Sequence, residues 1–211
     1  MIYRATWNVH RIISDILKTR NASLIQSEKK GHTRYIRALL SHSVEPRRGD
    51  VIHCGVAFKV SKPEIEFGPY LYRIACENGA IISCDPFYQK FHVNDCASTF
   101  ELSRQIEEGI EKLDDHRLHK YCQKYLNRAL TIPANPPYIF YRLGRFAYWS
   151  QRTILFNHIV QRLDSVEQPT RYDLFHAISS LARDTRDYDL KWNLQQLGCT
   201  AVIGLDASWR R

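Results

Sequence analysis

The sequence has few glycines and no long apolar run. Its nine glycines are scattered, and none of them forms the GxxxxGK or GxGxxG loop with which proteins cradle a nucleotide phosphate. No serine stands in the Gly-x-Ser-x-Gly elbow of the α/β-hydrolases. No segment is apolar over the length needed to cross a bilayer. The sequence therefore predicts neither nucleotide hydrolysis, nor this kind of serine catalysis, nor a membrane partner.

The sequence also has no CxxC pair and no secretory cleavage pattern after its first residues. The six cysteines are spread over the chain, at Cys54, Cys76, Cys84, Cys96, Cys122 and Cys199. Without a secretion signal, reduced thiols in the cytoplasm are the expected state, and disulfides are not. No cofactor is predicted.

Acidic residues are fewer than basic ones, and this imbalance is the first positive signal. The chain has 30 lysines and arginines against 22 aspartates and glutamates, which gives a net charge of +8 and a pI of about 9.2. A basic balance favours polyanionic partners, nucleic acid above all, although it also fits a basic but inert surface. We expect DNA as a partner before RNA, and self-assembly into a homo-oligomer is compatible with the sequence.

The pattern of apolar residues predicts an α+β fold in one domain over residues 1–211. Residues 1–97 combine a helix at 6–20 with strand-like runs at 22–27, 33–42, 50–60, 80–84 and 87–93. Turn signals separate these runs, at residues 45–50 and at Asp85-Pro86. We expect a small antiparallel sheet in this half, packed with a helical C-terminal half.

Residues 98–211 have mainly helical periodicity. A helix is predicted over 99–130, with Leu102, Ile106 and Ile110 on one face. Three prolines in 131–137 end it, and a second helical pattern covers 138–163. Thr170 is placed to cap a helix that runs to about residue 184, with Asp173 completing an acidic capping box. A last short helix is predicted over 190–197.

The stretch from residue 72 to residue 79 is the most distinctive in the chain. Arg73 and Cys76 are followed by Asn78-Gly79 and then by apolar residues. We interpret Cys76 as a core residue and Asn78-Gly79 as a tight turn with positive φ. This block resembles the signature of the phage/plasmid-like proteins, a family defined as domain of unknown function 932. The resemblance implies an origin in a phage or another mobile element, and it implies no activity.

The segment between residues 119 and 152 interleaves basic and aromatic residues and contains few acids. Proteins that hold single-stranded nucleic acid need cations for phosphates and aromatic faces for bases. Core packing of the aromatics and solvated arginines are the alternative interpretation. We predict a nucleic-acid-binding site formed by Arg73, Lys120, Lys124, Arg128, Tyr141, Arg142, Arg145, Tyr148, Trp149 and Arg152. The predicted role is binding of single-stranded or distorted DNA, as in annealing or recombination, without catalysis.

Three weaker interpretations remain beside this one. Cys76, Cys84, His92 and Cys96 are zinc-type ligands without the usual paired spacing. Glu64, Glu66, Glu77, Asp85 and Asp95 could serve a metal-dependent nuclease. Asp189-Leu190-Lys191 resembles part of a nuclease signature, but it lies in a region predicted to be helical instead of on a strand. The chain could also act as an interaction protein on a host defence component. Arg73 itself fits either a phosphate contact or a structural bond to backbone carbonyls or to Glu77.

Overall fold

A computed structural model describes residues 3–61, 63–83, 88–93, 96, 98–113 and 116–203. It shows the α+β architecture that the sequence predicts, an antiparallel sheet in the N-terminal half and helices in the C-terminal half. The elements of the first half are α1 (Tyr3–Thr19), β1 (Ser23–Lys30), β2 (Thr33–Arg47), β3 (Asp50–Ser61), β4 (Glu64–Arg73), β5 (Asn78–Ile81) and β6 (Gln89–His92).

The sheet grows by consecutive hairpins in the order β1-β2-β3-β4-β5, and β6 also pairs with β4. Gly31 and Gly49 lie in the first two hairpin turns with φ of 58° and 78°. A side chain is strained in that region of backbone space, which explains glycine at both turns. Strand β4 pairs along its length with β3, while its other edge is shared by β5 and β6.

Helices α1, α2 (Thr99–Leu113) and α3 (His116–Ala129) cover the first face of the sheet. Alternation along β3 sends Val56, Phe58 and Val60 to this face and Ala57 to the other. The predicted apolar stripe of α2 is confirmed, because its members are buried in this core. They are Leu102, Ile106, Ile110 and Leu113.

The remaining helices are α4 (Pro136–Leu143), α5 (Trp149–Gln161), α6 (Arg171–Asp184) and α7 (Tyr188–Ile203). Trp192 of α7 packs on the second face of the sheet, against Tyr35, Ala57 and Tyr70. A separate apolar cluster joins α4 and α5 to α6 and α7. The predicted capping box is present: Asp173 N donates to Thr170 Oγ1 at 3.3 Å, and Thr170 N donates to Asp173 Oδ2 at 2.8 Å.

Two of the predicted helical segments are wrong in detail. The helix predicted over 99–130 is two helices, α2 and α3, and the pattern over 138–163 is interrupted between α4 and α5. Helical spacing continues across both breaks because the helices on either side bury apolar stripes, so periodicity does not reveal the interruption. Of the helices in the described ranges, none is long and apolar enough to span a membrane.

The predicted turn at Asn78-Gly79 is also wrong. Both residues belong to β5, and the residue with positive φ is Glu77, at 53°, after a short 3-10 turn at Ile74–Cys76. Gly79 is required for another reason, since a Cβ there would lie 2.0 Å from the hydroxyl of Tyr70. Cys76 is half-buried and does not belong to the core.

Candidate nucleic-acid interface

The hairpin formed by α4 and α5 carries the most exposed aromatic surface among the described residues. Tyr148 is 87% exposed, Trp149 70% and Tyr141 67%. Large aromatic side chains normally bury most of their surface in a soluble protein, so three exposed rings on one hairpin indicate a binding surface. The hairpin is anchored from beneath by buried apolar residues, namely Ile139, Leu143, Leu155 and Ile159.

The local sequence explains why the hairpin forms. The side chain of Asn135 accepts a hydrogen bond from Tyr138 N at 3.3 Å, and Pro136 occupies the first turn of α4, where its missing N–H costs nothing. The helix ends at Leu143 and Gly144 follows it. Five residues separate α4 from α5 (144–148), and they include Arg145 and Tyr148.

Arg152 holds this hairpin together. Its guanidinium carbon lies 3.7 Å from the centre of the Phe140 ring and 5.3 Å from that of Trp149. Phe140 and Trp149 also meet edge to face, at 5.5 Å between ring centres. A Cβ on Gly144 would lie 2.9 Å from Arg152 Nη1, so the guanidinium packs closely over the glycine. Arg152 thus fixes the position of Trp149, and it is less available to a ligand than a solvated arginine.

Arg142 and Arg145 have no ion-pair partner among the described residues. Arg142 lies 5.8 Å from the ring centre of Tyr138, and Arg145 is exposed. Residues 120–161 contain no aspartate or glutamate. No carboxylate from the hairpin's own sequence therefore neutralises its positive charge.

The two arginines also line a cleft of about 360 Å³ between the α4–α5 hairpin, α7 and the sheet. Glu66 and Tyr88 contribute from the sheet side, and Asn193 and Gln196 from α7. The Tyr88 hydroxyl donates to Glu66 and accepts from Gln196 Nε2 at 2.8 Å. Burial, followed by the bond to Glu66, raises the pKa of Tyr88 well above its ordinary value, so it stays protonated.

The predicted basic tract is divided between two helical units. Lys120, Lys124 and Arg128 lie on α3, which packs in the core of the first sheet face. On the same helix, Tyr121 and Tyr125 are half-buried against that core, with ring centres 4.3 Å apart. The α3 aromatics therefore serve packing, and the exposed rings of the predicted tract belong to the α4–α5 hairpin.

Arg73 lies apart from the tract, in a group of charges that sequence reasoning missed. Its Nε lies 2.5 Å from Oδ1 of Asp50, a carboxylate only 7% exposed. Oδ2 of Asp50 accepts from the Tyr172 hydroxyl at 2.5 Å and lies 3.6 Å from Nε2 of His176. Among the described residues, the charged partner of Arg73 is thus Asp50 and not Glu77, so its charge is engaged within the protein.

Burial is the main influence on the groups around Asp50. It lowers the pKa of His176 to about 4, against the opposing effect of the Asp50 charge. Burial, together with the bond to Asp50, raises the pKa of Tyr172 far above its ordinary value. His176 and Tyr172 are therefore neutral beside the ion pair of Asp50 and Arg73.

The residues proposed for metal chemistry do not converge where the structure describes them. Lys90 lies 2.7 Å from Glu64 and 3.8 Å from Glu66, and His92 lies 3.6 Å from Glu64. Within the described ranges, no group of three or more His, Cys, Asp or Glu residues could hold a metal ion. Cys84, Asp85 and Asp95 lie outside those ranges.

The Asp189-Leu190-Lys191 triplet begins a helix and not a strand. Asp189 lies at the start of α7, where Lys59 approaches it at 2.7 Å and Tyr35 donates to it at 2.7 Å. Its carboxylate therefore ties α7 to the sheet, and the resemblance to a nuclease signature has no structural support.

The comparisons with known proteins do not identify a relative. No protein-family model, no curated protein and no solved structure matches the chain. The resemblance to the phage/plasmid-like proteins therefore stays a prediction, and the geometry of the α4–α5 hairpin is the basis for a functional conclusion.

Proposed function

We propose that the protein binds single-stranded or distorted nucleic acid, DNA before RNA, through the α4–α5 hairpin. The observation that carries the proposal is that one hairpin combines three exposed aromatic rings with Arg142 and Arg145, which have no carboxylate partner among the described residues. Bases stack on aromatic faces, each contributing about 1–3 kcal/mol, and guanidinium groups bind phosphates. The preference for DNA rests on the predicted mobile-element origin.

The α4–α5 surface suits a single strand better than a duplex. Tyr141, Tyr148 and Trp149 can stack only on bases whose faces are accessible, and the bases of a duplex are stacked on one another. Arg142 and Arg145 supply the electrostatic part of the binding, which does not depend on sequence. Binding is the whole of the proposed activity, without a catalysed reaction.

The test is a titration of a fluorescently labelled single-stranded oligonucleotide, read by anisotropy at several salt concentrations. We expect affinity to fall steeply with salt for the wild type. Substituting Arg142→Ala together with Arg145→Ala removes two phosphate contacts, so the slope of log K against log salt should fall by about 1.4.

The control is the charge-matched pair Lys18→Ala with Arg48→Ala, at exposed positions on α1 and in the β2–β3 turn. It should leave the salt slope within error of the wild type. If the hairpin variant and the wild type had equal slopes of log K against log salt, the two arginines of the hairpin would not contact the bound strand. Cleavage of the oligonucleotide on addition of Mg²⁺ or Mn²⁺ would favour the nuclease interpretation instead.

A further inference from the structure

The cleft beside the α4–α5 hairpin has a chemistry that the open aromatic surface lacks. It brings Arg142 and Arg145 to the same space as the side chain of Asn193 from α7. Its volume of about 360 Å³ lies at the lower end of the range for small-ligand sites, roughly 300–1,000 Å³. A cleft of this size suits one nucleotide unit and not a run of several.

Charge is distributed unevenly around the cleft wall. The two arginines carry positive charge with no ion-pair partner among the described residues, whereas Glu66 contributes a carboxylate. Glu66 is engaged by Tyr88 and lies 3.8 Å from Lys90. A phosphate is therefore favoured at the arginines, and a second phosphate next to Glu66 is disfavoured.

The two amide side chains of the cleft wall differ in how many of their hydrogen-bonding groups remain unused. Gln196 already donates to Tyr88 at 2.8 Å. The Asn193 side chain makes no hydrogen bond to another described residue, and it retains both its donors and its acceptor. An asparagine amide of this kind pairs with the edge of a nucleobase.

We propose that this cleft binds a nucleoside phosphomonoester, as the phosphorylated terminal nucleotide of a strand. Arg142 and Arg145 hold the terminal phosphate, and Asn193 contacts the base. A phosphomonoester carries close to two negative charges at neutral pH, which matches two guanidinium groups, whereas an internal phosphodiester carries one. The proposal rests on the function proposed above, because it assigns the end of the same bound strand to the cleft.

The experiment compares three oligonucleotides of one sequence, with a 5′-phosphate, a 3′-phosphate or only hydroxyl ends, by competition anisotropy. We expect one of the phosphorylated ends to bind on the order of tenfold more tightly than the hydroxyl-ended strand. Asn193→Asp places a negative charge in the cleft at constant size and should abolish this gain. Asn127→Asp is the same change at an exposed position on α3 and should leave the gain intact.

Arg145→Gln is a second test of the gain in affinity from the terminal phosphate. The position is exposed, so the substitution should not impair folding. It should reduce the gain from the terminal phosphate more than it reduces binding of the hydroxyl-ended strand. A free nucleoside monophosphate is the fourth competitor. If it competes as well as the phosphorylated strand, the phosphomonoester site is supported and its ligand is the free nucleotide.

Equal affinity for all three strand ends would overturn the cleft proposal and leave the proposed function standing. Retention of the gain in Asn193→Asp, with the fold verified by circular dichroism, would likewise overturn it. Failure to bind any oligonucleotide or nucleotide at low salt would overturn both.

Discussion

Arg37 of the sheet and the two arginines Arg142 and Arg145 of the α4–α5 hairpin lie in opposite environments. Arg37 in β2 is 1% exposed and donates to Gln195 at 2.8 Å and to Gln26 at 2.5 Å. Arg142 and Arg145 have no ion-pair partner among the described residues. Net charge counts all arginines alike, but only those not engaged within the protein can neutralise phosphates. The excess of basic residues is therefore informative only after each arginine has been placed.

The largest expected difference is in stability. Arg37→Ala removes a buried cation and leaves the amide oxygens of Gln26 and Gln195 without its donors, with a void between the rings of Tyr70 and Trp192. We expect a loss of about 4 kcal/mol in the free energy of unfolding, measured by urea denaturation.

Arg145→Ala is the matched control on the hairpin, where we expect a change within about 0.5 kcal/mol. If the two variants lost similar stability, the contrast between structural and available arginines would be wrong. Arg37→Lys keeps the charge but loses the forked geometry, so it should fall between the two.

The pair formed by Asp50 and Arg73 gives the next largest effect. Asp50→Ala leaves the Arg73 guanidinium and the Tyr172 hydroxyl without their common acceptor in a largely buried place. We expect a loss of about 3 kcal/mol of stability, with little change in oligonucleotide affinity.

An exposed ion pair provides the control for the stability loss expected in Asp50→Ala. Arg11 and Asp15 lie 3.7 Å apart on α1 with both side chains solvated, so Asp15→Ala should cost about 0.5 kcal/mol or less. If Asp50→Ala lost nucleic-acid binding markedly without losing stability, the result would indicate that Asp50 positions Arg73 for binding, and the structural assignment of Arg73 would be wrong.

The sequence predicts the local parts of this fold and misses the parts that depend on distant neighbours. The capping box of Thr170 and Asp173 and the buried stripe of α2 rest on spacings of three and four residues, and both are present. The contact between Asp50 and Tyr172 joins residues 122 positions apart, and no local sequence pattern predicts it.

Contacts between distant residues also explain why the turn prediction at Gly79 is wrong. They explain as well why the sequence does not show which aromatics of the candidate site are exposed. Asn-Gly is a common turn signal, but the glycine here makes room for Tyr70 on the neighbouring strand. Exposed aromatics of the α4–α5 hairpin and half-buried ones on α3 look alike in sequence, since both occur among basic residues. Only the packing of each helix decides which rings face solvent.

The buried histidine beside Asp50 predicts a dependence of stability on pH. His176 faces Asp50, Arg73, Arg47 and Asp173, and its pKa is lowered from 6.5 to about 4, with burial as the main cause. Between these values the unfolded chain binds a proton that the folded protein excludes. The contribution is therefore fully present above pH 6.5 and is lost as the pH falls towards 4.

His176→Gln removes this titration. Between pH 6.5 and pH 4, the wild type should lose about 2 kcal/mol more stability than the variant, as measured by urea denaturation across the range. Parallel stability curves for the two proteins would show that His176 accepts its proton in the folded state.

The smallest expected effect comes from a variant that separates the contribution of base stacking on the hairpin from that of its charge. Tyr148 is 87% exposed and makes no side-chain capping bond to α5, so Tyr148→Ala should change stability by less than about 0.5 kcal/mol. If one base stacks on this ring, affinity for a single strand should fall about fivefold with the salt slope unchanged, because no phosphate contact is lost. Phe100→Ala is the control, since Phe100 is a ring 77% exposed on α2 that should have no effect on binding. An equal loss of affinity in both variants would mean that exposed aromatics bind strands nonspecifically, and the hairpin would then differ from the rest of the surface by its arginines alone.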